Sequence, residues 1–170
     1  DAADAVQRPV RGLARPRVSR RRQREPYYIK YINAIERVQR NFTKRIPSLS
    51  NLSYAERLAM LDLETLECRR LKADLTMYYK IINNLTVFNS SVYFEFNVHV
   101  RDTRLATESN SCCINRPLCR TSGFQNDFFQ RCILCWNSLP NTVVESSCLK
   151  IFKSELNKIN LADFLKYKLL

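Results

Sequence analysis

The sequence predicts a mainly α-helical fold, a small helical bundle with a candidate short β segment near residues 91–100. Three observations carry that expectation. Apolar residues recur at steps of three and four along several long stretches, the spacing that lines one face of a helix. Ser53-Tyr-Ala-Glu56 has the form of a capping box, in which the serine oxygen and the glutamate each satisfy a free backbone amide at a helix start. Only two glycines accompany a hydrophobic content of 45%, which suits a packed helical body rather than a turn-rich one.

Residues 1–25 differ in composition from the rest of the chain. They carry eight arginines, among them Arg20, Arg21, Arg22 and Arg24, together with Pro9 and Pro16. Without apolar periodicity this stretch reads as a disordered basic arm, or as sequence translated from unrelated flanking DNA.

The first helix is expected from Pro26, a residue suited to a first helical turn. Tyr28, Ile32, Ile35, Val38 and Phe42 share one face, with Lys30, Arg37, Arg40, Lys44 and Arg45 over the rest. Pro47 ends the helix by disfavouring helical geometry in the residue before it. A short helix through Leu58 to Leu61 comes after the capping box. The longest helix runs from about Thr65 to Asn83, with Leu66, Leu71, Leu75, Tyr78 and Ile82 as its stripe and Arg69, Arg70 and Lys72 at its basic side. Short connections make 26–85 an antiparallel basic cluster.

Residues 86–121 read as loop with one candidate strand. Val92, Phe94, Phe96, Val98 and Val100 alternate with Tyr93, Glu95, Asn97, His99 and Arg101, a period of two, but no partner strand is visible. In 122–170, Phe124, Phe128, Phe129, Cys132, Ile133 and Trp136 predict a helix stopped near Leu139-Pro140. A last helix begins after Ser146-Ser147 with Leu149, Phe152, Leu156 and Ile159 inward, and Leu161 to Leu170 continues it after a break.

The formal net charge of +12 favours polyanionic partners, because each neutralised phosphate releases condensed counterions. Basic faces are also common as mere solvated surface. No apolar run approaches the ~18 residues that a membrane span needs. The start has no apolar core behind its positive charges, so no secretory signal is expected, and opening on Asp1 reads as a fragment. The seven cysteines (Cys68, Cys112, Cys113, Cys119, Cys132, Cys135, Cys148) are then expected as reduced intracellular thiols, with nucleus or cytoplasm as the compartment. Asn41, Asn51, Asn84 and Asn89 begin glycosylation-type triplets that such a chain leaves bare.

Catalytic chemistry finds little purchase. Polymerisation needs clustered carboxylates holding two metal ions about 3.5–4 Å apart, whereas Asp62, Glu64, Glu67, Asp74, Asp102 and Asp127 are scattered. Glu64 and Glu67 stand where carboxylates ordinarily complement a helix dipole. His99 is the sole histidine and has no nominated partner. Cys112, Cys113, Cys119, Cys132 and Cys135 contain enough thiolates for zinc, but Cys132-Ile-Leu-Cys135 falls in a predicted helix beside Trp136, and free cysteines commonly pack as small hydrophobes. No catalytic, cofactor or metal-binding residue is therefore nominated. The basic helices offer the better lead: Arg37, Arg40, Lys44, Arg45, Arg69 and Arg70 as phosphate contacts, with Tyr27, Tyr28 and Tyr31 near enough to stack on bases. The bland alternative is a solvated face with the tyrosines in the core.

Four stretches, taken in order, resemble a known family. They are the run from Pro26 to Pro47, Leu52-Ser-Tyr-Ala-Glu-Arg-Leu58, Leu66-Glu-Cys-Arg-Arg-Leu-Lys-Ala-Asp-Leu75 leading into Tyr79-Lys-Ile-Ile82, and Phe128-Phe-Gln-Arg-Cys-Ile-Leu-Cys-Trp-Asn-Ser-Leu-Pro140, with Leu149 to Leu156 behind. Their order and spacing resemble the segment that comes after the polymerase domain in Jockey-like and related LINE-type (non-LTR retrotransposon) reverse transcriptases, across residues 26–156. The resemblance implies a parent endonuclease and RNA-directed DNA polymerase that uses Mg2+, with its palm aspartates upstream of these residues. It implies RNA or DNA and the upstream polymerase domain as partners, and gives no catalytic position to carry over here. The competing expectation is a non-catalytic interaction module or an inert relic of a mobile element.

Overall fold

The computed structural model describes residues 28–97 and 110–166. The basic arm, Pro26, Tyr27, His99, Asp102 and the far half of the candidate strand lie outside them. Within them the fold is mainly helical, as the periodicity requires, and no sheet forms among the described residues.

Helix α1 (Ile29–Lys44) is succeeded by a 3-10 turn at Pro47–Leu49 and by α2 (Tyr54–Met60). Both halves of the capping box are made: Glu56 N–H donates to Ser53 Oγ at 3.3 Å, and Ser53 N–H to Glu56 Oε2 at 2.7 Å. Helix α3 (Leu66–Ile82) starts on Thr65, whose hydroxyl accepts from Cys68 N–H, and closes on Asn83.

Both α2 and α3 end in the same way. After α2, Asp62 N–H donates to Ala59 O and Leu63 N–H to Leu58 O; after α3, Asn84 N–H donates to Ile81 O and Leu85 N–H to Lys80 O. This paired pattern satisfies two orphan carbonyls and demands a left-handed residue at its centre. Asp62 (φ 52°) and Asn84 (φ 54°) take that role in a chain nearly without glycine, because short polar side chains tolerate the region best after glycine.

The amphipathic face of α1 exists as expected, but the helix is not packed by it. Of the predicted set only Ile32 is buried; Val38 and Phe42 are 68% and 70% exposed, and Tyr28 and Ile35 are exposed too. The inward face is instead Ile32, Glu36, Gln39 and Thr43, rotated about 90° from the apolar stripe at 100° per residue. Polar groups hold it. Glu36, fully buried, accepts from Tyr54 Oη and from Glu67 N–H, while Gln39 Nε2 donates to Glu64 O. Buried Arg57 donates from Nε to Thr43 Oγ1 and from its terminal nitrogens to Leu52 O and Arg40 O.

The main core lies on the other side of α3. Leu75, Tyr78, Tyr79 and Ile81 meet α9 (Leu149–Lys158) and a run of short helices: α6 (Phe128–Arg131), α7 (Ile133–Asn137) and α8 (Asn141–Val144). Trp136 and Phe152 are fully buried, and the Tyr79 and Phe152 rings stack at 4.3 Å. Tyr79 Oη reaches Ser146 O at 2.5 Å and Tyr78 Oη reaches Phe128 O at 3.2 Å, so both phenols find the partners that burial demands. Phe152 and Leu156 point inward as the sequence pattern requires. A 3-10 turn at Ala162–Phe164 stands where a continued helix was expected, and 167–170 lie outside the described residues.

Two expectations are corrected. The single helix over Phe124–Trp136 is broken into α5 (Ser122–Gln125), α6 and α7. The break is local chemistry: Asp127 takes an extended backbone (φ −64°, ψ 153°), and its carboxylate accepts from Phe129 N–H, restarting the helix. In the candidate strand, residues 90–93 form a helical turn, α4 (Ser90–Tyr93), capped by Asn89. Alternation holds from Phe94 to Asn97, where Phe96 bridges Ile114 in antiparallel fashion. Asn97 N–H donates to Cys113 O and Asn115 N–H to Glu95 O. The other edge of Ile114 is taken by the Asn137 side chain, which accepts from its N–H and donates to its carbonyl. One amide side chain thus replaces a third strand.

Candidate nucleic-acid interface

The six cations singled out in the sequence fall into different settings. On α1, Arg37 and Lys44 are exposed and, at helical spacing, lie on the side away from the apolar stripe; Arg45 caps the helix and is exposed. Arg40 has its guanidinium 5.2 Å from the Tyr54 ring centre, a cation–π contact that fixes it over α2. Arg69 and Arg70 are neighbours in sequence and therefore point about 100° apart around α3. Arg69 is exposed; Arg70 is half-buried, with Nε donating to Leu66 O. Lys72 is held by Glu64.

Of the tyrosines near the start of α1, Tyr28 and Tyr31 are not core residues. Tyr28 and Tyr31 are 50% and 42% exposed, with ring centres 6.1 Å apart, and Lys30 Nζ lies 4.9 Å from the Tyr31 ring. Exposed aromatic faces beside a cation offer both a stacking surface and a phosphate contact.

Each described carboxylate considered for catalysis has a structural occupation instead. Asp62 shapes the end of α2, Glu64 pairs with Lys72, and Glu67 accepts from Lys166 N–H. Asp74 binds Arg131 at 2.7 Å, tying α3 to α6, and Asp127 caps α6. Burial pushes the Glu67 carboxyl above its ordinary range. The thiols behave similarly. Cys132 and Cys135 are core residues, and burial pushes the Cys135 thiol up to about 12 and that of Cys132 further, opposite to the activation a nucleophilic or ligating thiolate requires. Among the described residues, no group of three His, Cys, Asp or Glu side chains is placed to hold a metal ion.

A cleft of about 260 Å³ opens between α3, α6 and the Phe164–Lys166 segment. Of the nominated cations only Arg70 reaches it, joined there by Arg116, Arg131 and Lys166. Arg116 and Lys166 were not singled out from the sequence, and no local pattern marks them: one stands in irregular backbone, the other far along the chain. No helix among the described residues is long and apolar enough to cross a membrane.

No family model, curated protein or solved structure matches this chain.

Proposed function

We propose that this chain is the basic helical region that comes after the polymerase domain of a LINE-type, non-LTR retrotransposon reverse transcriptase, and that it helps hold template RNA or target DNA. The single observation that carries the nucleic-acid part is a row of exposed cations, Lys30, Arg37 and Lys44, seven residues apart on one face of α1, with exposed Tyr28 and Tyr31 beside Lys30 at its end. A row of cations ending in an exposed aromatic pair suits a nucleic-acid backbone with a base stacked at one end. The family part rests on the order of the four stretches between Pro26 and Leu156.

In this reading, RNA-directed DNA polymerisation and its Mg2+ belong to a domain upstream, and these residues contribute contacts rather than chemistry. The partner protein surface is that upstream polymerase domain, docked on the exposed Ile35, Val38 and Phe42 part of the α1 stripe. The site of action is intracellular, in nucleus and cytoplasm.

Filter binding of labelled RNA to the full chain across a salt series tests the reading. Binding at low salt should weaken steeply as salt rises, with a slope of about −0.7 per phosphate contacted on a single strand. Replacing Arg37, Lys44 and Arg45 together by alanine should flatten the slope by roughly two to three contacts. Binding that is absent at low salt, or indifferent to salt, sinks it.

The second reading is a non-catalytic interaction module, and the exposed stripe of α1 favours it. Primer extension on the isolated chain yields no product under either reading; robust synthesis would overturn both.

A further inference from the structure

The cleft between α3, α6 and Phe164–Lys166 has no part in the contacts assigned to α1. It combines two kinds of lining. Arg70, Arg116 and Lys166 bring positive charge, and Arg131 adds a fourth cation already engaged by Asp74. Leu71, Leu134 and Phe164 bring apolar surface; Phe164 is 38% and Leu134 53% exposed. Glu67 also lines the cleft and offsets one charge, so that with Asp74 counted the cations remain in excess.

Gln130 lines the same cleft and is nine-tenths buried, with its Oε1 turned away from solvent. The volume falls just below the range of drug-sized pockets, about 300–1,000 Å³, and suits one planar ring with part of its sugar.

We infer that this cleft accepts a single unpaired nucleotide of a bound strand. The base lies against Phe164 and Leu134, and the flanking phosphates face Arg70, Arg116 and Lys166. A duplex cannot enter, because its bases are stacked and paired and extruding one costs unpairing energy. The inference rests on the nucleic-acid reading proposed for α1 and adds to it a second, separate seat for an unpaired base.

The test uses the full chain and two fluorescein-labelled RNAs of equal length, a twelve-nucleotide single strand and the matching duplex, read by anisotropy. The single strand should bind about tenfold tighter or more, the range that base–aromatic stacking supplies. Phe164→Ala should lower that preference several-fold while leaving duplex binding unchanged. Leu134→Trp, which fills the cleft from an exposed position, should do the same and guards against a folding defect in the first variant. Arg37→Ala should weaken both RNAs alike. Equal affinity for the two RNAs, or a preference undiminished in both cleft variants, overturns the cleft while the nucleic-acid reading stands. Absence of binding to either RNA overturns both.

Discussion

Tyr54 Oη donates to Glu36 Oε2 at 2.8 Å across the interface of α1 and α2, and the other oxygen of the same carboxylate accepts from Glu67 N–H in the first turn of α3. One fully buried side chain therefore joins three helices. This relationship explains why α1 is seated by its polar side. A helix turned to bury Val38 and Phe42 would carry Glu36 into solvent and leave the Tyr54 hydroxyl and an α3 amide without partners.

Glu36→Ala should cost about 2–4 kcal/mol, because two buried donors lose their acceptor. Tyr54→Phe should cost about 1–3 kcal/mol by stranding one carboxylate oxygen. The two residues act as a unit, so a double-mutant cycle in urea should return a coupling energy of about 1 kcal/mol or more. Additivity within about 0.5 kcal/mol would show that the hydrogen bond does not organise the interface.

The Tyr54 phenol also makes stability depend on alkaline pH. Burial, then the hydrogen bond to Glu36 and its negative charge, raise its pKa above the ordinary tyrosine value of 10.0; burial does the same to Tyr78. A raised folded-state pKa means that the native state retains protons that the unfolded chain has lost. The stabilisation is complete below about pH 10 and declines as pH rises toward the folded-state values. Unfolding free energy measured from pH 9 to pH 12 should fall, and Tyr54→Phe should make the decline shallower. A curve flat to pH 12 contradicts the buried placement of both phenols.

Helix boundaries were legible wherever the signal is local. The capping box at Ser53, the run from Thr65 to Asn83 and the inward face of α9 each depend on residues within a few positions of one another, and the structure reproduces them. Local caps at Asn89 and Asp127 were passed over, because apolar spacing was read through them, and the other misses depend on distant partners. Periodicity locates an apolar face on α1 but cannot say whether it is buried; Tyr54 and Arg57 decide that from 18 and 14 residues away, through Glu36 and Thr43 respectively. The β pairing at Phe96 was unreadable because its partner is one residue, Ile114, completed by a side chain at Asn137. The nucleotide-sized cleft was unreadable for the same reason, since Arg70 meets Arg116 and Lys166 only through the packing of α3 against the C-terminal half of the chain.

The left-handed residues at the ends of α2 and α3 offer a gain in stability. Asp62 adopts φ 52° with a Cβ that glycine lacks, and its side chain is exposed. Asp62→Gly removes the steric cost of that region, while greater freedom in the unfolded chain offsets part of the gain. The net expectation is a stabilisation of up to about 1 kcal/mol, seen as a rise in Tm of roughly 2–4 °C for a chain of this size. Asp62→Ala should lower Tm, because alanine keeps the Cβ and has no polar group to ease the conformation. Equal Tm values for the glycine and alanine variants would count against the left-handed turn.

The apolar stripe of α1 supplies the sharpest contrast available within one helix. Tyr28, Tyr31, Ile35, Val38 and Phe42 alternate steps of three and four and are all exposed, whereas Ile32 on the adjoining face is 2% exposed. Val38→Ser and Phe42→Ser should therefore change stability by no more than about 0.5 kcal/mol, since neither removes a packed contact. Ile32→Ser should cost about 2–5 kcal/mol through lost burial and the cavity left behind. The same two stripe variants should reduce binding of the dye ANS, which reports exposed apolar surface. If Val38→Ser destabilises as much as Ile32→Ser, the stripe is packed in solution and cannot be the surface on which an upstream polymerase domain docks. If stability is untouched and dye binding falls, the face is free for that partner, and adding the upstream domain should protect Val38 and Phe42 from solvent while leaving Arg37 and Lys44 accessible on the opposite side.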